Sequence, residues 1–114
     1  MITVRVKYAD GSHARPTGRI ASFEVSGHAG YARRGQDIVC AAVSAVTQTA
    51  VAGLREVAGL DPQVSIDHEM GYLAVDLGRD MDNGAAQAIL ATMLIGLRAI
   101  ARDNPRYVKI EDSD

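Results

Sequence analysis

Apolar residues recur along this chain with two different periods, and the order of those periods limits the folds open to it. At the N-terminus, apolar residues alternate with Thr3, Arg5 and Lys7, the pattern of a strand with one buried face. Four later segments are also predicted to be strands, the last of them short and at an edge of its sheet. The predicted strands are Ile2–Tyr8, Ala21–Val25, QVSID at 63–67, YLAVDL at 72–77 and RYVKIE at 106–111.

Two further segments carry apolar residues at steps of three and four, the period of a helix with one buried face. They run from Ile38 to about Val57 and from about Ala85 to Arg102. Residues typical of helix ends flank both segments. Gly59 can end the first helix, Asp82 or Asn83 can cap the second, and Asn104-Pro105 can end it.

The order of predicted elements is ββαββαβ, with QVSID and YLAVDL joined as a hairpin around Glu69, Met70 and Gly71. Hairpins covered by helices on one face form a two-layer α+β domain with a mostly antiparallel sheet and two helices. The 114 residues suffice for one domain with its own core, and no linker or low-complexity run divides them. We therefore predict a single domain over residues 1–114.

Both predicted helices are rich in alanine. The simplest interpretation is close packing of one helix on the other within the domain. The alternative is that part of this small-residue surface forms a two-fold dimer interface. The alanines concerned are Ala41, Ala42, Ala45 and Ala50 in the first helix and Ala85, Ala86, Ala88 and Ala91 in the second.

Composition narrows the classes of protein and the compartment. The net charge of -2 argues weakly against non-specific binding to nucleic acid. A single cysteine excludes an internal disulfide and favours a reducing compartment. The N-terminus lacks the apolar run of a signal peptide. The most apolar segment, AAQAILATMLIGL, is interrupted by Gln87 and Thr92 and is shorter than the roughly 18 residues of a membrane span. These features predict a cytoplasmic protein without a membrane segment.

The single cysteine, Cys40, stands where the first helix begins. With Asp37 as the N-cap, Cys40 falls in the first turn, where backbone N–H groups lack partners and the helix dipole is positive. Such a site lowers a thiol pKa, and its N–H groups can bind a developing oxyanion. The Asp37 carboxylate opposes this effect by raising the thiol pKa. Activation then depends on a third group, and His28 is the candidate.

His28 follows the second predicted strand, and a loop with Gly30 and Gly35 separates it from Cys40. A loop of this length can bring the two side chains together as a base and a nucleophile. The alternatives are ordinary: a small buried hydrophobe for Cys40, a surface residue for His28 and a simple helix cap for Asp37. A structural zinc site is disfavoured, because one cysteine and three scattered histidines give no local ligand pairs.

The segment from Val25 to Val46 contains a Gly-His-Ala motif, a variable loop with a late glycine, and Asp-Ile-Val-Cys-Ala with a serine nearby. In this chain these are Gly27-His28-Ala29, Gly35, Asp37-Ile38-Val39-Cys40-Ala41 and Ser44. On these motifs the segment closely resembles the ribosomal-processing cysteine protease family, Prp.

This resemblance implies an intracellular cysteine endopeptidase without a cofactor, usually a homodimer. Its expected substrate is the precursor of large-subunit ribosomal protein twenty-seven, from which it removes a short N-terminal extension. By motif position Cys40 is the expected nucleophile and His28 the base. Asp37 and Ser44 are the expected supporting residues, and Ser44 can alternatively bond its own helix backbone. The loop, with Gly30 and Gly35 as hinges, is the expected lid. A non-catalytic ribosome assembly module and a redox-sensing thiol protein are the alternatives.

Overall fold

A computed structural model describes residues 1–9, 18–30, 32–33 and 37–113 of the chain. Within these residues, five strands and two long helices follow one another in the order ββαββαβ, with a short 3₁₀ helix before the second long helix. The elements are β1 (Ile2–Tyr8), β2 (Ile20–Ser26), α1 (Ile38–Glu56), β3 (Gln63–Asp67), β4 (Tyr72–Asp76), the 3₁₀ helix (Gly78–Asp82), α2 (Gly84–Asp103) and β5 (Val108–Ser113).

The five strands form one sheet in the order β3-β4-β2-β1-β5. Three of the four pairings are antiparallel, and β5 pairs with β1 in parallel, with Lys109 opposite Thr3. The predicted fold class, the β3–β4 hairpin and the edge position of β5 are therefore confirmed. The start of β5 was predicted two residues early, because Tyr107 donates its N–H to the Asn104 carbonyl and continues the turn after α2.

Alternation along β1 divides the sheet into a buried and an exposed face. Ile2, Val4, Val6 and Tyr8 are buried, whereas Arg5 and Lys7 are exposed on the opposite face. Both helices contribute their apolar stripes to the same core as the strands. The helical core residues are Val39, Val43, Ala50, Val51 and Leu54 of α1 and Ala86, Leu90, Met93, Leu94 and Leu97 of α2.

The N-cap of α2 is Asn83, whose side chain accepts the Ala86 N–H at 2.9 Å. Asp82, the other candidate, instead forms an ion pair with Arg19. The 3₁₀ helix before this cap carries little apolar pattern, so the sequence did not predict it. Gly59 follows α1 with a φ of +70°, a conformation that suits glycine after a helix.

Both long helices have the length and apolar composition of a membrane span, with 18-residue windows of mean hydropathy 1.4 in α1 and 1.6 in α2. The apolar segment in α2 was expected to be too short for a membrane span. This expectation is wrong, because α2 runs for 20 residues. Core helices pass the same test, and the buried stripes of these two helices pack with the strands in one core.

The two helices approach each other through glycines. A Cβ atom at Gly96 would lie 3.4 Å from a methyl carbon of Val46, and one at Gly53 would lie 3.5 Å from Ile89. Of the alanines considered above, only Ala50 and Ala86 are buried. Packing within the domain therefore explains only a minority of these alanines. Ala45 and Ala88 instead line an open apolar groove of about 620 Å³ between α1 and α2.

Candidate active site

Asp37 determines how α1 begins. Its backbone is extended, with φ -84° and ψ 102°, and its Oδ1 accepts the N–H groups of Val39 at 3.0 Å and Cys40 at 2.9 Å. This is N-cap geometry, with the second and third helical residues as donors. Cys40 is therefore in the first turn, as predicted. The same bonds occupy the Val39 and Cys40 amides, so in this conformation these two N–H groups are not available to an oxyanion.

The Cys40 thiol is half-buried and accepts a hydrogen bond from the backbone of the segment after β2. The N–H of Ala29 donates to Cys40 Sγ at 3.2 Å, and Ala29 is itself buried. Gly27, with a φ of +94°, makes the turn after β2, and a Cβ atom there would lie 2.4 Å from the Met1 carbonyl oxygen. The close approach of β1 and the Gly-His-Ala segment thus requires a glycine at this position.

Burial raises the pKa of the Cys40 thiol, and the Asp37 carboxylate raises it further. The Ala29 N–H and the N-terminal ammonium group act in the opposite direction, but the net pKa is above the ordinary value. The position of Cys40 in the first turn therefore does not lower the pKa of its thiol below the ordinary value. At neutral pH Cys40 is a protonated thiol, and it needs a base to become a nucleophile.

His28 is exposed at the end of β2, and its ring contacts the β3–β4 hairpin. Its Nε2 atom lies 3.3 Å from the Glu69 carbonyl oxygen. A Cβ atom at Gly71 would lie 2.8 Å from His28 Cε1, so the ring rests against a residue without a side chain. Although both residues are described, no hydrogen bond joins His28 to Cys40. They nevertheless line the same two cavities.

The first cavity is a cleft of about 200 Å³ between α1 and the β3–β4 hairpin. Its walls combine apolar and polar side chains, of which Thr47 is buried and Ile66 is exposed. They include Ile2, Val25, Val43, Ile66 and Leu73, together with Ser44, Thr47, Gln48, Asp67, His68 and Tyr72. In the described part of the chain, no group of three or more His, Cys, Asp or Glu side chains is arranged to hold a metal ion.

The second cavity, of about 520 Å³, adjoins the loop after His28. Gly30 lies on its wall with a φ of +74°, and a Cβ atom there would meet no other atom within 4 Å. Gly35, the other predicted hinge, lies outside the described residues.

Ser44 lines both cavities one turn beyond Cys40, and its Oγ accepts a hydrogen bond from Gln48 Nε2 at 2.7 Å. Neither a bond to Cys40 nor one to its own helix backbone is seen for that hydroxyl.

Three groups at the site were not predicted from the sequence: the Ala29 N–H, the Glu69 carbonyl and the bare backbone of Gly71. The first two are main-chain groups, which any residue supplies, so residue type carries no signal for them. Gly71 was visible as part of a hairpin turn. Its contact with His28 depends on β4 pairing with β2, which places Tyr72 opposite Ser26.

A cysteine in the first turn of a helix, with a histidine in the same cleft, is an arrangement typical of cysteine hydrolases. The model of the family described as "Cysteine protease Prp" matches residues 1–109. The chain therefore belongs to the Prp family of cysteine proteases. Family membership makes it a cysteine peptidase of the ribosomal-processing type.

Named relatives and solved structures agree with this assignment. The ribosomal processing cysteine protease Prp of Bacillus subtilis is 39% identical over 87 residues, which cover 74% of this chain and 78% of the relative. The Staphylococcus aureus protein of the same name is 30% identical over 110 residues, covering 96% of this chain and 97% of the relative.

Two crystal structures of the essential S. aureus protease Prp also match the fold. One holds a covalently linked product peptide and has a TM-score of 0.83 at 31% identity, covering 97% of this chain and 98% of that chain. The other holds a substrate peptide and has a TM-score of 0.82 at 29% identity, with the same coverage.

Proposed function

We propose that this protein is an endopeptidase that removes the N-terminal extension of large-subunit ribosomal protein twenty-seven, with Cys40 as nucleophile and His28 as general base. The observation that supports the residue roles is that His28 and Cys40 line one cleft. The substrate is inferred from the resemblance of the Gly-His-Ala and Asp-Ile-Val-Cys-Ala motifs and from relatives named for ribosomal processing.

In the proposed reaction, His28 takes the proton of the Cys40 thiol as Sγ attacks the carbonyl carbon of the scissile peptide bond. The C=O π electrons move onto oxygen, which gives a tetrahedral oxyanion. When this species collapses, the C–N bond breaks and His28 gives its proton to the leaving amine. A thioester to Cys40 remains, and water hydrolyses it with His28 again acting as the base.

The Ala29 N–H is the main-chain donor best placed to serve the oxyanion. It already lies 3.2 Å from Sγ, and the oxyanion forms on the carbon that bonds to that sulfur. The N–H can therefore move from sulfur to oxygen with little displacement. Donors of this kind typically contribute about 10²–10³-fold to the rate of acyl transfer.

The raised thiol pKa fits a nucleophile that is activated only when a substrate is bound. A protonated, half-buried thiol reacts slowly with solvent oxidants, since thiolate character controls oxidation. This counts against the redox-sensing alternative. A histidine and a cysteine facing one cleft count against a non-catalytic assembly module.

Asp37 and Ser44 are assigned supporting roles. Asp37 holds the first turn of α1, and with it the position of Cys40. Ser44 and Gln48 form one polar wall of the cleft through their mutual hydrogen bond. Gly30 is a candidate hinge for the loop beside the site, because its φ of +74° suits glycine and a Cβ atom there would meet nothing within 4 Å.

We further propose a cytoplasmic homodimer that binds a precursor peptide and neither nucleic acid nor membrane. The groove between α1 and α2 supports the dimer, since Ile89 and Met93 line it, and Ile95, next to the groove residue Gly96 in the chain, is 68% exposed. The single free cysteine supports a reducing compartment.

The substrate is tested by incubating the protein with the ribosomal protein precursor from the same organism and measuring the product masses. One cut is expected, at the junction between the extension and the mature protein, and none with the Cys40→Ala variant. An intact precursor, or cuts scattered along it, would contradict the proposed substrate.

A further inference from the structure

The ring of His28 is held by the β3–β4 hairpin rather than by a carboxylate. Nε2 lies 3.3 Å from the Glu69 carbonyl oxygen, and a Cβ atom at Gly71 would lie 3.0 Å from the same nitrogen. The Asp37 carboxylate, the sequence candidate for orienting His28, bonds to the amides of α1. A hydrogen-bond acceptor for the histidine thus comes from the backbone of the hairpin.

The turn that presents this carbonyl is tied at both ends. The Asp67 side chain accepts the N–H groups of Glu69 and Met70, both at 3.1 Å. Gly71 has a φ of +64°, and its carbonyl accepts the N–H of Gly27 at 2.9 Å. Gly27 immediately precedes His28, so the turn and the histidine backbone are held in register with each other.

A carbonyl oxygen can only accept a hydrogen bond, so the contact with Glu69 requires a proton on Nε2. Neutral His28 is then the Nε2–H tautomer, and the lone pair is on Nδ1. The Nε2–H bond persists when Nδ1 takes a second proton, so the same contact can orient the ring in both protonation states. Cysteine and serine hydrolases use a third group for this purpose, and removing it disturbs the tautomer of the base.

We propose that the hairpin turn, residues 67–71, is the positioning element of the active site. The Glu69 carbonyl fixes the proton of His28 on Nε2, and Gly71 is the position where a side chain would push the ring away. Nδ1 is then the atom that takes the Cys40 proton and returns it to the leaving amine. This inference rests on the proposed function, but its first test does not require a substrate.

The first test is the tautomer of His28, measured by ¹⁵N NMR of the protein labelled at histidine and assigned with the His28→Gln variant. We expect the Nε2–H form in the resting protein and a mixture of tautomers in Gly71→Ala. Gly59→Ala controls for the positive φ alone, because Gly59 has a similar φ of +70° but a Cβ atom there would meet nothing within 4 Å, whereas one at Gly71 would also lie 2.7 Å from the Gly27 carbonyl oxygen. An Nδ1–H form in the resting protein would overturn the proposal.

The second test is steady-state cleavage of a precursor peptide. We expect Gly71→Ala to lower kcat at least tenfold, within the ~10²–10⁴-fold that a positioned base contributes, with a smaller change in KM. Gly59→Ala should keep the wild-type kcat. If Gly71→Ala does not fold, Asp67→Ala replaces it, with Asp67→Asn as the conservative rescue, because the asparagine oxygen can still accept the turn amides.

These outcomes distinguish a failure of the hairpin proposal from a failure of the proposed peptidase function. If the wild-type protein cleaves but Gly71→Ala keeps both kcat and tautomer, the hairpin does not position His28. The same conclusion follows if both Asp67 variants behave alike. If the wild-type protein cleaves no peptide, the proposed function fails, and the tautomer measurement still decides whether the hairpin fixes the His28 proton.

Discussion

Opposing influences meet at the sulfur of Cys40. The first turn of α1 and the Ala29 N–H favour a thiolate, whereas burial and the Asp37 carboxylate favour the thiol. The thiol form prevails, since the pKa of Cys40 is raised. Burial is the largest cause, and the carboxylate that begins the helix adds to it, so the nucleophile stays protonated until a base removes the proton.

The Asp37→Asn variant separates these two effects of Asp37. Asparagine caps a helix about as well as aspartate but carries no charge. The pH midpoint for alkylation of Cys40 by iodoacetamide should lie above the ~8.5 of a free thiol in the wild-type protein. It should shift to lower pH in Asp37→Asn, because the neighbouring negative charge is gone. A wild-type midpoint below that reference value, or no shift in the variant, would contradict the account of the thiol.

At the scale of elements, polar side chains at element ends hold the termini of α1, the β3–β4 turn and α2. Asp37, Asp67 and Asn83 each accept backbone N–H groups two or three residues ahead of them. The first two of these residues serve the candidate site directly, since they position Cys40 and the Glu69 carbonyl. The third anchors α2 beneath the sheet.

The cap of α2 can be tested by comparing two neighbouring substitutions. Asn83→Ala removes the acceptor for the Ala86 N–H and should lower the free energy of unfolding by about 1 kcal/mol. Asp82→Ala removes only a surface ion pair with Arg19, in which the aspartate side chain is 78% exposed, and should change stability less. Urea unfolding measures both, and a larger loss for Asp82→Ala would contradict the cap assignment.

At the scale of the whole molecule, the sheet has one face under the helices and one exposed polar face. The exposed face carries Arg5 between Glu24 and Glu111, with both carboxylates within 3.4 Å of the guanidinium. The outer side of the helix pair carries the apolar groove instead. Of these two surfaces, the groove is the one whose burial against a second copy would remove apolar area from water.

Sedimentation at micromolar concentration tests this dimer. The wild-type protein should have the mass of two chains, and Ala88→Arg should have the mass of one, because Ala88 is exposed and lines the groove. Ser65→Arg, on the open face of the sheet, is the control and should remain dimeric. A monomeric wild-type protein would contradict the dimer, and a dimeric Ala88→Arg would place its interface elsewhere.

Most of the fold was predictable because it depends on side-chain periodicity. The alternation in β1 and the three- and four-residue steps in α1 and α2 specify which faces are buried. The parallel pairing of β5 with β1 was not predictable, since the alternation of apolar and polar residues in a strand does not specify which other strand it pairs with. The 3₁₀ helix was missed because Gly78–Asp82 carries no buried residue and so gives no apolar signal.

The side chains of the candidate site were predictable from the sequence, but the main-chain groups that bond to them were not. Cys40, His28 and Ser44 line the cleft, and Asp37 lines the second cavity beside it together with the same three residues. The main-chain groups that hold them follow from tertiary contacts across the hairpin. The sequence showed the opposing effects of the helix dipole and Asp37 on the pKa of Cys40, but burial of the thiol, the largest cause of the raised pKa, could not be inferred from it.

The most direct test of the account is single-turnover cleavage of the precursor peptide by the wild-type protein, Cys40→Ser and His28→Ala. Thermal unfolding serves to show that all three are folded. The account predicts cleavage by the wild-type protein and a rate lowered by at least about 10²-fold in each variant, the size expected when a nucleophile or a general base is lost. A folded His28→Ala or Cys40→Ser variant that cleaves at the wild-type rate would contradict it.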